Sequence, residues 1–145
     1  MKPLIAALSF AALSLSACSL AATQQDCMDG RARALKDGGF SGPILCENAR
    51  GSFVLVGRTG AYTIYDYRYR FRPPHGAVDH GGQKILIFRG EAYLGQYPAS
   101  PPPYVTVSVQ GSVVRFDSAD SKPIDLSNGP PTDTVLAGYD VTFFR

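Results

Sequence analysis

The stretch AYTIYDYRYRFR, residues 61–72, alternates between two kinds of side chain along its whole length. Successive side chains of a β-strand point to opposite faces of a sheet, so this alternation predicts a strand. One face carries a threonine and four aromatic side chains: Thr63, Tyr65, Tyr67, Tyr69 and Phe71. The other face is mostly polar: Tyr62, Ile64, Asp66, Arg68, Arg70 and Arg72. The aromatic face suits a sugar-binding platform, but packing in a core explains it better.

The segments on both sides of this stretch also predict strands. Residues 52–57 (SFVLVG) are rich in β-branched and aromatic side chains. Residues 84–88 (KILIF) carry apolar side chains at both parities, so we expect this strand to be central and covered on both faces. Residues 92–97 (AYLGQY) follow after Arg89-Gly90-Glu91, which predicts a hairpin turn.

Residues 104–116 predict a second hairpin. If Gln110-Gly111 is its two-residue loop, Val107 lies opposite Val114. The valines then share one face, and the polar side chains share the other, so the turn and the hydrophobic pattern agree.

One short helix precedes the strands. Met28, Ala32 and Leu35 recur at helical spacing, which predicts a helix that starts near Asp26. Gly38-Gly39 predicts its end.

The predicted elements define a fold class that is mainly β, with one N-terminal helix. A short strand is expected near residues 124–126 and a last strand over residues 134–144. About eight short strands with frequent turns are typical of a small antiparallel sandwich or barrel. We expect a single domain over residues 26–145.

The N-terminus has the three-part form of a secretory signal peptide. Met1-Lys2 gives a small positive start, residues 4–15 form an apolar run, and small residues follow. The run is well short of the roughly 20 residues that cross a bilayer. We therefore predict a cleaved signal peptide over residues 1–17.

Leu15-Ser16-Ala17-Cys18 ends this leader and resembles the lipobox of bacterial lipoproteins. The resemblance covers the leader alone. It implies that Cys18 is lipidated and becomes the mature N-terminus, with residues 18–25 as a tether to the membrane. Because Ser19 rather than an aspartate follows, it also implies sorting to the outer membrane, facing the periplasm. The alternative is ordinary cleavage after Ser19-Leu20-Ala21, which leaves a soluble periplasmic or secreted protein.

The cysteine count agrees with export, since exported proteins can form disulfides. Once Cys18 is acylated or removed, Cys27 and Cys46 remain as an even pair. We predict a disulfide that joins the helix to the sheet. It closes a loop of about 20 residues and stabilises the fold by roughly 3 kcal/mol in the chain-entropy model. The alternative is two unrelated buried thiols.

The net charge argues against one class of partner. The chain has a formal net charge of +2, and Lys2 is lost with the leader. This small excess does not provide the basic surface that nucleic-acid binding requires, so we expect no nucleic acid as partner.

The arginines of the 61–72 strand are the first candidates for binding. Same-face neighbours are about 6.8 Å apart, so Arg68, Arg70 and Arg72 would form a positive row. Such a row can hold phosphate, a carboxylate-bearing glycan or an acidic protein. The alternative is a solvated sheet face whose charges discourage edge pairing.

Residues 72–83 (RPPHGAVDHGGQ) have no periodicity and contain both histidines of the chain. We predict a long connection, since such segments often carry function. His75, Asp79 and His80 could supply three ligands to zinc or copper, but the spacing matches no strong motif. We expect no metal and no cofactor, and we place these three residues in the candidate binding surface.

Sequence motifs give little support for catalysis. The chain has no Gly-x-Ser-x-Gly, no His-Glu-x-x-His and no glycine-rich phosphate loop, so we expect no enzyme. The first hypothesis is a cell-envelope lipoprotein whose β-rich domain binds another envelope component, protein or glycan. The alternatives are an inhibitor of a lysozyme- or protease-type hydrolase, and a small hydrolase whose site assembles from distant segments.

Overall fold

A computed structural model describes residues 28–145, which form one helix and nine strands. The elements are α1 (Arg31–Asp37), β1 (Arg50–Thr59), β2 (Tyr62–Phe71), β3 (His80–Arg89), β4 (Ala92–Ser100), β5 (Val107–Gln110), β6 (Val113–Phe116), β7 (Ile124–Asp125), β8 (Asp133–Leu136) and β9 (Tyr139–Thr142). In this part of the chain no helix has the length and apolar character needed to cross a membrane. The predicted signal peptide, Cys18, the tether and Cys27 lie outside the described residues.

Four long strands form the central sheet in the order β1-β2-β3-β4, and each is antiparallel to the next. The alternating stretch 61–72 supplies β2. The KILIF segment lies in β3, which is central and buried as predicted. The mainly β class with one short helix is confirmed. The barrel alternative is wrong, because β1 and β4 are the two edges of this sheet and do not pair with each other. Among the described residues, the β4 edge meets the C-terminal segment at one bridge, between Gln96 and Phe144.

Each face of the central sheet has its own core. On the helix face, α1 and the loop after it cover a largely aromatic cluster that includes Leu35, Leu45, Tyr65, Tyr67, Leu86, Phe88 and Tyr93. On the small-sheet face, β5-β6-β7 and the hairpin β8-β9 cover an aliphatic cluster that includes Ile64, Ile85, Ile87, Val114, Ile124 and Leu136. The alternation of β2 and β3 therefore divides their side chains between two separate cores.

The hairpin formed by β5 and β6 differs from the expected register. Val107 pairs with Phe116 rather than with Val114, and the two-residue loop is Gly111-Ser112. The predicted loop Gln110-Gly111 is therefore wrong. The register slips by two residues, which keeps every side chain on its expected face, so the hydrophobic pattern alone cannot distinguish the two hairpins.

The C-terminal segment forms two strands where one was predicted. Residues 134–144 fold back on themselves as β8 and β9, which pair Leu136 with Tyr139. Ala137 and Gly138 both have positive φ, 51° and 81°, which is the backbone of a tight hairpin turn. The short strand expected near residues 124–126 is confirmed as β7.

The helix starts later than predicted. Met28, Asp29 and Gly30 all have left-handed φ values, 59°, 50° and 74°, so they cannot continue a right-handed helix toward Asp26. The helix ends before Gly38, as predicted.

The connection between β2 and β3 is shorter than predicted. His80 to Gln83 belong to β3 and pair with β2, so the loop spans residues 72–79 rather than 72–83. Two adjacent glycines usually indicate a loop. Here a Cβ at Gly82 would lie 2.8 Å from the Tyr69 hydroxyl oxygen, so glycine allows the tyrosine ring to approach the strand.

A buried tyrosine fastens the segment before β1 onto the helix face. The Tyr67 hydroxyl donates a hydrogen bond to the Pro43 carbonyl and accepts one from the Leu45 N–H at 3.2 Å. The Tyr67 side chain has no solvent exposure, and burial raises its pKa. The phenol therefore stays protonated and serves as donor and acceptor at once.

We expect Tyr67→Phe to destabilise the protein by about 1–3 kcal/mol, because the buried Leu45 N–H and the partly buried Pro43 carbonyl lose this hydroxyl as a partner. Urea denaturation measures the change. Tyr139→Phe is the matched control, since Tyr139 is 69% exposed and should change stability little. Equal effects of the two substitutions would contradict the role given to the Tyr67 hydroxyl.

Candidate functional site

The pairing of β1 with β2 adds a fourth arginine to the predicted row. Arg50 of β1 is directly opposite Arg70 of β2. Directly paired residues have Cβ atoms about 4.5–5.5 Å apart, and like charges at that distance repel. Arg68, Arg70 and Arg72 share the parity of Ile64, so the row lies on the small-sheet face.

These arginines border an open pocket at one end of the central sheet. The pocket has a volume of about 420 Å³. Its walls include Arg50, Ser52, Arg68, Arg70, Asp79 and Tyr104, and we call it the arginine pocket. Arg72 lies just outside it and contacts the pocket through Asp79.

Arg68 is held in place by contacts within the domain. Its Nε donates to Asp66 Oδ2 at 3.0 Å, its Nη2 lies 2.8 Å from the same oxygen, and Nη2 donates to the Val105 carbonyl at 3.2 Å. The guanidinium carbon lies 5.3 Å from the centre of the Tyr104 ring. Since Asp66 is buried and the Arg68 side chain is 34% exposed, this pair is partly shielded from solvent and salt.

Asp79 provides the second carboxylate of the region. Its Oδ1 accepts a hydrogen bond from Arg72 Nε at 2.7 Å, and its Oδ2 lies 4.0 Å from Arg50 Nη2. Asp79 and Arg72 are partly exposed, and Arg50 is mostly exposed. Pairs of this kind are worth about 0–1 kcal/mol, so a ligand can compete for these arginines.

Arg70 has no carboxylate partner in the described part of the chain. Its side chain is exposed and lines the arginine pocket, and no described acidic group lies within ion-pair distance of it. The region therefore combines four guanidinium groups with two carboxylates. The excess positive charge is concentrated at the Arg50–Arg70 pair.

The structure does not assemble a metal site from the loop residues. Asp79 joins the arginines, whereas His75 is exposed with a φ of 65° and lines no part of the pocket. The His80 ring lies 5.7 Å from the Phe71 ring. Within residues 28–145 no group of histidine, cysteine, aspartate and glutamate side chains is arranged to hold a metal ion.

The aromatic face of β2 is mostly interior. Tyr65 stacks on Phe53 at 4.2 Å between ring centres, and Tyr65 and Tyr67 are buried. Tyr69 and Phe71 are half-buried at the end of the row. Most of this surface contributes packing rather than a platform for sugars.

Sequence reasoning missed a buried polar network beside the pocket. Gln83 is 2% exposed, and its Nε2 donates to Asp66 Oδ1 at 2.8 Å and to the Val105 carbonyl at 2.7 Å. Its Oε1 accepts the Val105 N–H at 2.9 Å. The side-chain amide thus pairs with a backbone segment as a neighbouring strand would. The sequence does not indicate this role, because Gln83 follows two glycines and lies at the end of the predicted loop of residues 72–83.

A second buried polar group lies on the helix face. Lys84 Nζ lies among the rings of Phe40, Tyr69 and Phe144, at 5.3, 6.0 and 5.6 Å from their centres, and donates to the Ser41 carbonyl at 3.3 Å. The residue is 9% exposed. Burial lowers the pKa of its amine.

The chemistry of the arginine pocket has to be inferred from its own residues. Comparison of the chain with known protein families, curated proteins and solved structures gives no match. Guanidinium groups bind carboxylates and phosphates through paired, charge-assisted hydrogen bonds. An open pocket with excess guanidinium charge can therefore hold an anionic group, with Tyr104 and Ser52 as neighbouring contacts.

We expect Gln83→Leu to lower the free energy of unfolding by on the order of 3 kcal/mol, because Asp66 and Val105 lose buried partners. Chemical denaturation measures this loss. The same substitution at exposed Gln110 is the control and should change stability by less than about 0.5 kcal/mol. A loss at Gln83 as small as that at Gln110 would show that the network contributes nothing.

Lys84→Met should change the pH dependence of stability. The lowered pKa means that the unfolded state binds this proton more tightly, so the wild type gains stability as pH rises from the lowered pKa toward 10.5. Below that range the buried charge is a constant cost. The free energy of unfolding of Lys84→Met should therefore exceed that of the wild type most near neutral pH. The difference should shrink as pH rises.

Urea denaturation across pH measures this difference. Lys122→Met is the control, since Lys122 is exposed and should show no such trend. A difference between Lys84→Met and wild type that does not vary with pH would contradict the expectation.

Proposed function

We propose that this chain is a non-catalytic cell-envelope lipoprotein whose β-rich domain binds an anionic group of another envelope component in the arginine pocket. The observation that carries the proposal is Arg70. It is an exposed guanidinium opposite Arg50, without a carboxylate partner among the described residues. An anion bound between the two arginines would relieve their repulsion and gain two charge-assisted contacts.

The leader supports the cellular context. Leu15-Ser16-Ala17-Cys18 favours a lipid anchor on Cys18 and sorting to the outer membrane, with the domain facing the periplasm. Ordinary cleavage and a soluble exported protein form the alternative. We further propose that the layers of the domain form a sandwich, and that a Cys27–Cys46 disulfide fastens its N-terminal segment.

An inhibitor of a lysozyme- or protease-type hydrolase is the second candidate. The loop of residues 72–79 supports it, since Val78 is 68% exposed and directly precedes Asp79 of the arginine pocket. An exposed apolar side chain on a loop beside a charged pocket suits a protein–protein contact. A hydrolase has less support, because neither histidine lines the arginine pocket.

Arg70→Glu tests the proposed function. In a cross-linking pull-down from intact envelopes, we expect the wild type to recover a specific partner and the variant to lose it, because the charge of the pocket is reduced by two. Recovery by the wild type should also fall with added salt. Arg33→Glu is the matched control, since Arg33 is exposed on α1 over the other face and should keep the partner. An identical partner for wild type and Arg70→Glu would rule out the pocket as the contact.

A further inference from the structure

The outer edge of β1 begins at the arginine pocket and has no strand partner in the described part of the chain. Among the described strands β1 pairs with β2 alone, so the backbone N–H and C=O groups of its other side carry no strand partner there and can pair with an added strand. Val54 and Leu55 lie at the middle of this ten-residue strand and are 52% and 42% exposed. Adjacent residues point to opposite faces, so the edge is apolar on both sides at the same point.

A groove follows this edge between the two sheets. It has a volume of about 470 Å³ and is lined by Val54 and Val56 of β1 and by Val107 and Val109 of β5. β5 is itself the outer strand of its small sheet. Two strand edges therefore border one groove, which we call the edge groove. Its lining is mixed, since it also includes Leu55 and the polar side chains Ser52, Asp66, Arg68, Thr106 and Ser108.

Charge determines which occupant the edge groove fits. β1 carries Arg50 and Arg58 near its ends and has no acidic residue. Pairing of two copies along this edge would bring four arginines into one seam, and like charges across a strand pair are destabilising. A segment with an apolar middle and acidic residues beside it is complementary.

We infer that the partner is a polypeptide, and that an extended acidic segment of it adds to β1 as a fifth strand of the central sheet. Its apolar side chains cover Val54 and Leu55, and one of its carboxylates enters the arginine pocket. This inference rests on the proposed function and selects protein over glycan as the bound component. Strand addition gives affinity through backbone hydrogen bonds and specificity through alternate side chains.

The geometry of β1 limits where the added strand can pair. The register with β2 shifts between Leu55 and Gly57, and such a bulge bends the strand. Beyond it, β5 approaches so closely that a Cβ at Gly57 would lie 2.9 Å from the Val109 Cβ. The added strand therefore pairs with residues 50–55, next to the arginine pocket.

The test uses the full-length protein and peptides selected against it from a displayed library of random sequences as long as β1. We expect the selected peptides to alternate apolar residues and to carry acidic ones. Val54→Lys and Leu55→Lys should each weaken binding by about tenfold, because an edge lysine opposes the apolar middle of the added strand. Tyr139→Lys is the control at an exposed apolar side chain of β9, away from β1, and should leave peptide binding unchanged. Hydrogen exchange of the β1 amides should slow when peptide is bound.

A uronic-acid oligosaccharide is the second probe and separates the two proposals. Peptides that bind the Val54→Lys and Leu55→Lys variants as tightly as wild type, unchanged β1 exchange, or a library without binders would overturn the strand-addition inference. In those cases, oligosaccharide binding that is lost in Arg70→Glu and kept in Val54→Lys would leave the proposed function standing. If neither probe depends on Arg70, the proposed function fails as well.

Discussion

The burial of β3 on both faces is the constraint on which the rest of the structure depends. Its side chains alternate between two cores, so α1 on one side and the small sheets on the other are each fixed to the same strand. This leaves no solvent-facing position in the middle of β3 for a polar side chain. Gln83 therefore pairs with Asp66 and the Val105 backbone, and Lys84 with aromatic rings and one carbonyl. Each of these two polar side chains therefore connects β3 to a segment that packs on the central sheet.

The same distinction between interior and surface decides which arginines are available to a ligand. Loss of Arg68 would leave the buried Asp66 carboxylate without its charged partner, so Arg68 and Asp66 stay together. The pair of Arg72 with Asp79 is partly exposed and can exchange its partners at little cost. A row of equal charges in the sequence is therefore unequal in the fold. Only its exposed members, Arg70 and Arg72, can respond to another molecule.

The periodicity of the sequence determines which face of the sheet each side chain lies on. It does not determine which residues of two neighbouring strands pair with each other. The alternation of residues 61–72 and the apolar run of KILIF were sufficient to predict the central strands. The same signals could not distinguish hairpins that differ by two residues, nor show that Arg50 lies opposite Arg70. Gly81-Gly82 resembles a loop in the sequence, because the groups that require these small residues, the Tyr69 carbonyl and the Tyr69 ring, belong to the neighbouring strand. Pairing across strands is long-range information, and the arginine pocket consists of such pairings.

An open, apolar strand edge is also a hazard for the protein that carries it. Lipid-anchored copies, as we propose for this chain, are confined to two dimensions, where their edges meet far more often than in free solution. Arg50 and Arg58 flank Val54 and Leu55, and the bulge near Gly57 bends the strand out of a flat line. Charge and curvature of this kind oppose edge-to-edge aggregation. The arginines that attract an anionic partner would thus also keep crowded neighbours from pairing with one another.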